Sequence, residues 1–92
     1  NGLLVSPAYP NPFNPSTSIH YEIKAEQNIV IRIYNSSGGM VGSFSKLNLK
    51  AGEHTFNWTA KDFKGNLLPS GLYFIVLDAG KKVNISKVAF IK

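Results

Sequence analysis

Few side chains in this sequence have the types and spacing that catalysis or metal binding requires. The 92 residues contain no cysteine, so neither a thiolate nucleophile nor a disulfide is possible. A structural zinc site would have to rest on His20, His54 and scattered carboxylates. No serine, histidine and aspartate share a spacing that indicates a catalytic triad. We therefore predict no catalytic residue, no metal site, no cofactor and no enzymatic activity.

Two weaker patterns each have a structural interpretation that we favour. Asp62 and Asn66 in the stretch KDFKGN are oxygen ligands of the type that calcium prefers, but the carboxylates are too few for a cage, so we predict a turn. Trp58, with Tyr34 and Tyr73, could form a platform for stacking on sugars. A single tryptophan on a strand beside another aromatic is more often a core residue, and we predict that Trp58 is buried.

The composition indicates one folded domain with a dispersed positive charge. The chain is 43% hydrophobic and 16% charged, so it can bury enough apolar surface to fold. Nine of its ten basic residues are lysines, spread along the chain and adjacent only at Lys81 and Lys82, and the net charge is +5. A nucleic-acid module more often has arginines clustered on one face, so we predict no nucleic-acid partner and leave open a weak attraction to an anionic cell surface. No apolar run is long enough to predict a membrane-spanning segment.

The elements that carry these residues are β-strands, because alternation of period two dominates and helical spacing never persists. We predict an all-β, immunoglobulin-like sandwich of two antiparallel sheets with about seven strands. The stretch LYFIVLD is apolar on both faces, as expected of a central strand, and a final strand runs to the last residue. The residues that we predict to be mostly buried between the sheets are Ile19, Tyr21, Ile31, Ile33, Phe56, Trp58, Tyr73 and Ile75.

The stretch YPNPFNPST, which precedes the first long strand, contains three prolines. Pro10, Pro12 and Pro15 cannot donate to a central ladder, so we predict a stiff, extended edge segment that denies this edge to other molecules. We expect the aromatic rings of Tyr9 and Phe13 to fold over the end of the sandwich and close the core.

Five sequence motifs occur in an order that resembles a known family. They are YPNPFNPST.I.Y, IYN..G..V, AG.H...W, G....SGLYF and the terminal KVAFIK, and together they cover the chain from about residue 5 to residue 92. This order resembles the type A C-terminal sorting domain of proteins exported by the type IX secretion system of Bacteroidetes and related bacteria. It is also similar to the immunoglobulin-like domain of flagellar hook-capping proteins.

The resemblance to the sorting domain implies a recognition surface made from three of these motifs. Its residues would be Pro10, Asn11 and Pro12 of the P-N-P element, Gly71 and Tyr73 of the G-x-Y element, and Lys87 and Lys92 of the basic, apolar last strand. We also expect Gly71 to end its loop with a positive φ and so let Tyr73 enter the core. The sequence departs from the family at WTAKD, where Thr59 and Ala60 replace the usual Asp-Gly, which we interpret as a changed turn.

The resemblance also implies how the chain is organised and used. Residues 1–8 would be the end of an upstream linker with a short first strand, and residues 9–92 the sorting domain. An upstream cargo would cross the outer membrane through the type IX translocon, and a sortase-like protease would cut the linker before the cargo is attached to the cell surface or released. The alternative is an accessory module that binds polysaccharide or the cell surface for a glycoside-degrading enzyme, which a planar row of exposed aromatic rings would favour.

Overall fold

This structure, a computed structural model, describes residues 2–92. They fold into seven β-strands that form two antiparallel sheets. The strands are β1 (Leu3–Val5), β2 (Ser16–Ile23), β3 (Gln27–Asn35), β4 (Met40–Leu49), β5 (Gly52–Thr59), β6 (Gly71–Asp78) and β7 (Val83–Phe90). One sheet has the order β1-β2-β5 and the other the order β4-β3-β6-β7. The predicted immunoglobulin-like sandwich is confirmed.

The two sheets form because alternate side chains of each strand are apolar and face the other sheet. On β2 the residues Ile19, Tyr21 and Ile23 are buried, and on β3 the residues Ile29, Ile31 and Ile33 are fully buried. All eight residues that the sequence predicted to be buried belong to this core. Burial of these rings and branched side chains is the main stabilising contribution, since the chain has no disulfide.

Strand β6 is the central strand that its double-sided apolar pattern predicts. It lies between β3 and β7, with Ile75 and Leu77 buried on the inner face and Val76 buried on the outer face. It pairs antiparallel with β7 over its entire length and with β3 from Tyr73 to Asp78. This strand therefore places the G-x-Y element directly beside the last strand.

A hairpin turn joins β3 to β4. Gly38 has a φ of 89°, a left-handed conformation that glycine adopts without steric cost. The Asn35 side-chain oxygen accepts hydrogen bonds from the backbone N–H groups of Ser37 and Gly39 and so closes the turn.

The end of the chain differs from the prediction in one respect. The last strand ends at Phe90 rather than at the final residue, and Ile91 is 55% exposed. Val88 and Phe90 point to the inner face and are buried, whereas Ile91 follows Phe90 by one residue and so faces outward. Ile91 is therefore not part of the core.

Residues 2–92 include no helix with the length and apolarity needed to cross a membrane.

Substitution of Trp58 by alanine should destabilise the domain strongly. The indole is 3% exposed and contacts the rings of Phe13 and Tyr73. We expect a loss of about 3–5 kcal/mol in the free energy of unfolding, measured by urea denaturation, because truncation leaves a cavity in the core. The matched control is the substitution of the exposed Phe63 by alanine, which should change that free energy by no more than about 0.5 kcal/mol. Equal small effects of the two substitutions would contradict the buried position of Trp58.

Candidate functional site

The segment from Tyr9 to Phe13, here called the lead-in, crosses from one sheet to the other. Tyr9 pairs with Ser18 of β2 through two backbone hydrogen bonds of 2.9 and 3.0 Å. Phe13 pairs with the last strand, because its N–H donates to the carbonyl of Ala89 and its carbonyl accepts from the N–H of Ile91. The lead-in therefore closes the gap between the two sheets along the outer edge of β7.

This geometry corrects the prediction of an extended edge segment. Residues 10–15 form a series of bends, interrupted only by the bridge of Phe13 to β7. Phe13 is buried as expected, but Tyr9 is 79% exposed and does not cover the core. The reason is that Tyr9 pairs with Ser18, whose side chain lies on the outer face of β2, so the Tyr9 ring points to solvent as well.

Asn11 attaches the middle of the lead-in to β7. Its side-chain amide donates to the carbonyl of Lys87 at 3.0 Å, and its side-chain oxygen accepts from the N–H of Ala89 at 2.9 Å. The side chain thus satisfies two backbone groups that a neighbouring strand would otherwise pair. On the other side, the buried hydroxyl of Thr17 donates to the carbonyl of Pro10 at 2.8 Å.

Beneath the lead-in lies a cluster of four aromatic rings. The Phe13 ring is 5.8 Å from that of Trp58 and 5.2 Å from that of Phe90, between ring centroids. The Trp58 ring in turn meets the Tyr73 ring edge-on at 5.6 Å. These tilted and offset contacts are the geometries that aromatic pairs favour. The cluster links the P-N-P element, the G-x-Y element and the last strand through one shared piece of core.

The G-x-Y element meets the same edge of the molecule. Gly71 pairs with Phe90, and its φ of 159° is positive but close to fully extended. The Tyr73 hydroxyl donates to the carbonyl of Pro69 at 2.6 Å, and burial raises the pKa of this phenol. The N–H of Lys92 donates to the hydroxyl oxygen of Ser70, just before Gly71. The start of β6 and the end of the chain are therefore tied together.

The seven residues proposed for recognition fall into two classes. The exposed class comprises Pro10, Asn11, Pro12, Gly71, Lys87 and Lys92. Tyr73 is buried and can act only by supporting the residues above it. Contact between the lead-in and β7 brings the P-N-P element beside Lys87, which no local sequence pattern indicates because the partners lie 76 and 78 positions apart. Sequence reasoning missed Thr17 and Ser70, whose only signal is a hydroxyl near a proline or glycine.

The outer face of the four-stranded sheet carries one partly buried ion pair. The Arg32 guanidinium lies 2.9 Å from the Asp78 carboxylate and also donates to the Tyr34 hydroxyl. The hydrogen bond from Arg32, and then one from the N–H of Gly80, holds the pKa of Asp78 below its usual value. The surrounding side chains on this face are largely apolar, with Leu72, Val83 and Ile85 exposed.

The groups first considered for metal chemistry have local structural partners. The Asp62 carboxylate accepts hydrogen bonds from the N–H groups of Lys64 and Asn66 and so stabilises its own turn. The His20 ring lies 2.7 Å from the Thr55 hydroxyl, and the His54 ring lies 2.7 Å from the Lys50 carbonyl. Within residues 2–92, no three histidine or carboxylate side chains stand close enough to share a metal ion.

The departure at WTAKD places an apolar residue in the core. Ala60 is fully buried, its N–H donates to the carbonyl of Pro15, and its carbonyl accepts from the N–H of Leu68. The methyl group therefore packs where the loop leaves β5, next to the base of the lead-in.

Comparison with known proteins identifies the domain family. The model of the FlgD Ig-like domain matches residues 14–82. The chain belongs to this family. The match begins after Phe13 and ends before Val83, so the lead-in and β7 both lie outside it. A comparison with curated proteins found no match.

Three solved structures have the same fold at low sequence identity. Dimeric latent PorU from Porphyromonas gingivalis is 18% identical with a TM-score of 0.70, and PorZ from the same organism is 21% identical with a TM-score of 0.61. Both alignments cover 99% of this chain, which spans 10% of PorU and 12% of PorZ. FlgD from Xanthomonas campestris is 20% identical with a TM-score of 0.58, over 95% of this chain and 65% of that one.

Removal of the Asn11 side chain should loosen the lead-in. The substitution Asn11→Ala deletes both hydrogen bonds to β7, so we expect a loss of about 1–2 kcal/mol in the free energy of unfolding. Amide hydrogen exchange should accelerate at Ala89, whose N–H loses its acceptor. The neighbouring Asn14→Ala is the control and should change stability by no more than about 0.5 kcal/mol. Unchanged exchange at Ala89 would contradict the attachment.

Loss of the Asp78 charge should destabilise the domain in a pH-dependent manner. Because the folded-state pKa of Asp78 is lowered, its contribution is fully present above the unfolded pKa of about 3.9 and is lost as the pH falls through the folded pKa. The stability difference between wild type and Asp78→Asn should therefore be largest near neutral pH and shrink in strong acid. Urea unfolding at several pH values measures it, with the exposed Glu26→Gln as control. A pH-independent difference would exclude the ion pair as its cause.

Proposed function

We propose that this FlgD-type immunoglobulin-like domain is a C-terminal sorting domain of the type IX secretion system, which directs an upstream cargo across the outer membrane. The observation that carries the proposal is the attachment of the lead-in to the last strand by Asn11 and Phe13. It brings two sequence motifs from opposite ends of the chain into one exposed surface, with the third motif paired to the same strand.

The likeness to PorU and PorZ supports this proposal at the level of the fold. PorZ is described as a bacterial surface component of the type-IX secretion system, and its match covers 99% of this chain. The FlgD structure is described in terms of hook capping in flagellar assembly, which is the second function that this fold serves. The FlgD family match includes Gly71 and Tyr73 of the proposed recognition surface, while the lead-in and β7 lie outside it.

The partners follow from the proposed route. The domain would fold in the periplasm of a member of the Bacteroidetes or a related bacterium and present its surface to the outer-membrane translocon. A sortase-like protease would cut the linker before the domain, and the cargo would be attached to the cell surface or released to the medium. The domain itself would act by binding alone, since the resolved hydrogen bonds of its histidines and of Asp62 serve local structure.

The polysaccharide-binding alternative lacks the platform that would favour it. Trp58 and Tyr73 are buried, so neither can stack on a sugar. The exposed rings of Tyr9, Phe44 and Phe63 lie on three different segments: the lead-in, β4 and the loop before β6. The half-buried rings of Tyr34 and Phe74 are cross-strand partners on the outer face of the four-stranded sheet, which is a single pair rather than a row of exposed rings.

Neutralisation of the two recognition lysines should block export without unfolding the domain. Both side chains are exposed, so Lys87→Gln with Lys92→Gln should change stability by no more than about 0.5 kcal/mol. A secreted reporter fused to this variant should remain periplasmic in a host with type IX export, while the unmodified fusion should reach the surface or medium. Fractionation and immunoblotting of the reporter measure the difference.

The matched control replaces two other exposed lysines. Lys46→Gln with Lys64→Gln gives the same net charge but lies on β4 and in the loop before β6. This fusion should be exported normally. Equal export of all three fusions would show that Lys87 and Lys92 are not part of the export signal. Retention of the unmodified fusion in a competent host would refute the sorting function itself.

A further inference from the structure

The outer edge of β7 is covered along only part of its length. The lead-in bonds to the carbonyl of Lys87, to both backbone groups of Ala89 and to the N–H of Ile91. These are alternate residues, as expected for backbone groups that point away from β6 in an antiparallel pair. By the same alternation, Val83 and Ile85 direct their N–H and C=O groups to this side. Among residues 2–92, no hydrogen bond from another segment reaches these groups.

The side chains beside this open edge are apolar and positively charged. Val83 is 54% exposed and Ile85 is 65% exposed, both on the outer face of the sheet next to β6. Lys87 continues the same row of side chains, and Lys81 and Lys82 stand in the turn just before Val83. The carboxylate of Asp78, the β6 residue that pairs with Val83, is engaged by Arg32. The open edge thus offers unpaired backbone donors and acceptors, two exposed apolar side chains and a group of lysines at its ends.

We propose that Val83–Lys87 is a strand-addition site for an extended, acidic segment of a partner protein. Added strands gain affinity from the backbone ladder and specificity from alternate side chains. Here two alternate apolar side chains of the partner would lie against Val83 and Ile85. Carboxylates at the next alternate positions on the same face would lie near Lys87 at one end and near Lys81 and Lys82 at the other. The inference deepens the proposed sorting function, on which it rests for the identity of the partner.

Two other occupants fit the surface less well. A second copy of this chain paired edge to edge would bring the lysines of both copies together, which is destabilising. An anionic lipid surface would meet the lysines, but its phosphate groups supply no donor for the open carbonyls of Val83 and Ile85. A peptide backbone alone provides donors and acceptors in alternation.

The test uses the 92-residue chain and a defined probe, a blocked seven-residue peptide whose odd positions are glutamate, valine, valine and glutamate and whose even positions are serine, so that valines and glutamates share one face. Titration monitored by amide NMR should shift the resonances of residues 83–87 and leave β4, the other edge of this sheet, unchanged. A peptide with lysine in place of glutamate should bind at least five-fold more weakly. Of two peptides N-methylated either on every serine or on every valine and glutamate, one should lose binding and the other should retain it, because only one set of N–H groups faces β7.

A protein variant provides a second measurement. Ile85→Pro removes the outward N–H from an edge strand, where proline is tolerated, and should weaken peptide binding at least ten-fold. Ile85→Ala keeps the N–H, loses only side-chain contact, and should weaken binding less. If Ile85→Pro does not fold, the pair of N-methylated peptides decides the question on the unmodified chain.

The remaining outcomes each overturn the proposal. These are the absence of shifts at residues 83–87 with millimolar peptide, or equal binding of the two N-methylated peptides. Concentration-dependent shifts at these residues without peptide would identify a second copy as the occupant, and shifts with phosphatidylglycerol vesicles but not with peptide would identify lipid. Reporter export is a separate readout, so failed peptide binding with normal export refutes strand addition alone, and failed export with normal binding refutes sorting alone.

Discussion

The contact between the lead-in and the last strand is the interaction on which the arrangement of this domain's surface depends. A sandwich of two open sheets leaves a gap between them at each side and a row of unpaired backbone groups on each edge strand. Here one segment addresses both problems, since Phe13 fills the gap and Asn11 satisfies the edge of β7. The proline residues suit this position because they lack the N–H groups that a bent, solvent-exposed segment would leave unpaired.

The aromatic cluster explains why the two ends of the chain are coupled to the core. Phe13 contacts both Trp58 and Phe90, and Trp58 contacts Tyr73, so the rings join both sheets and the lead-in. Residues in contact are energetically coupled, so substitutions of two of these rings should have non-additive effects on the free energy of unfolding. The exposed residues above the cluster are thereby held in fixed positions, which favours the recognition surface proposed above.

The lead-in covers only the second half of β7, so the two halves of this strand differ in how their outward backbone groups are bonded. The part from Lys87 to Phe90 is paired, capped and anchored in the core through Val88 and Phe90. The part from Val83 to Ser86 follows the β6–β7 turn and keeps its outward groups free among the described residues. FlgD, PorU and PorZ have the same sandwich at 18–21% identity to this chain, and a shared fold does not by itself determine a function.

The sequence alone determined the strands and the inward face of each one, because alternation of apolar and polar residues is a local pattern that reports directly which side is buried. Ile31, Ile33, Trp58 and Ile75 could be placed in the core on that basis, and β6 could be recognised as central. The tertiary structure decided which segment covers which edge. The attachment of Asn11 to Lys87 and Ala89 depends on how two sheets meet, and its contacts join residues more than 70 positions apart. Such pairings are set by the geometry of sheet packing, which no local alternation encodes.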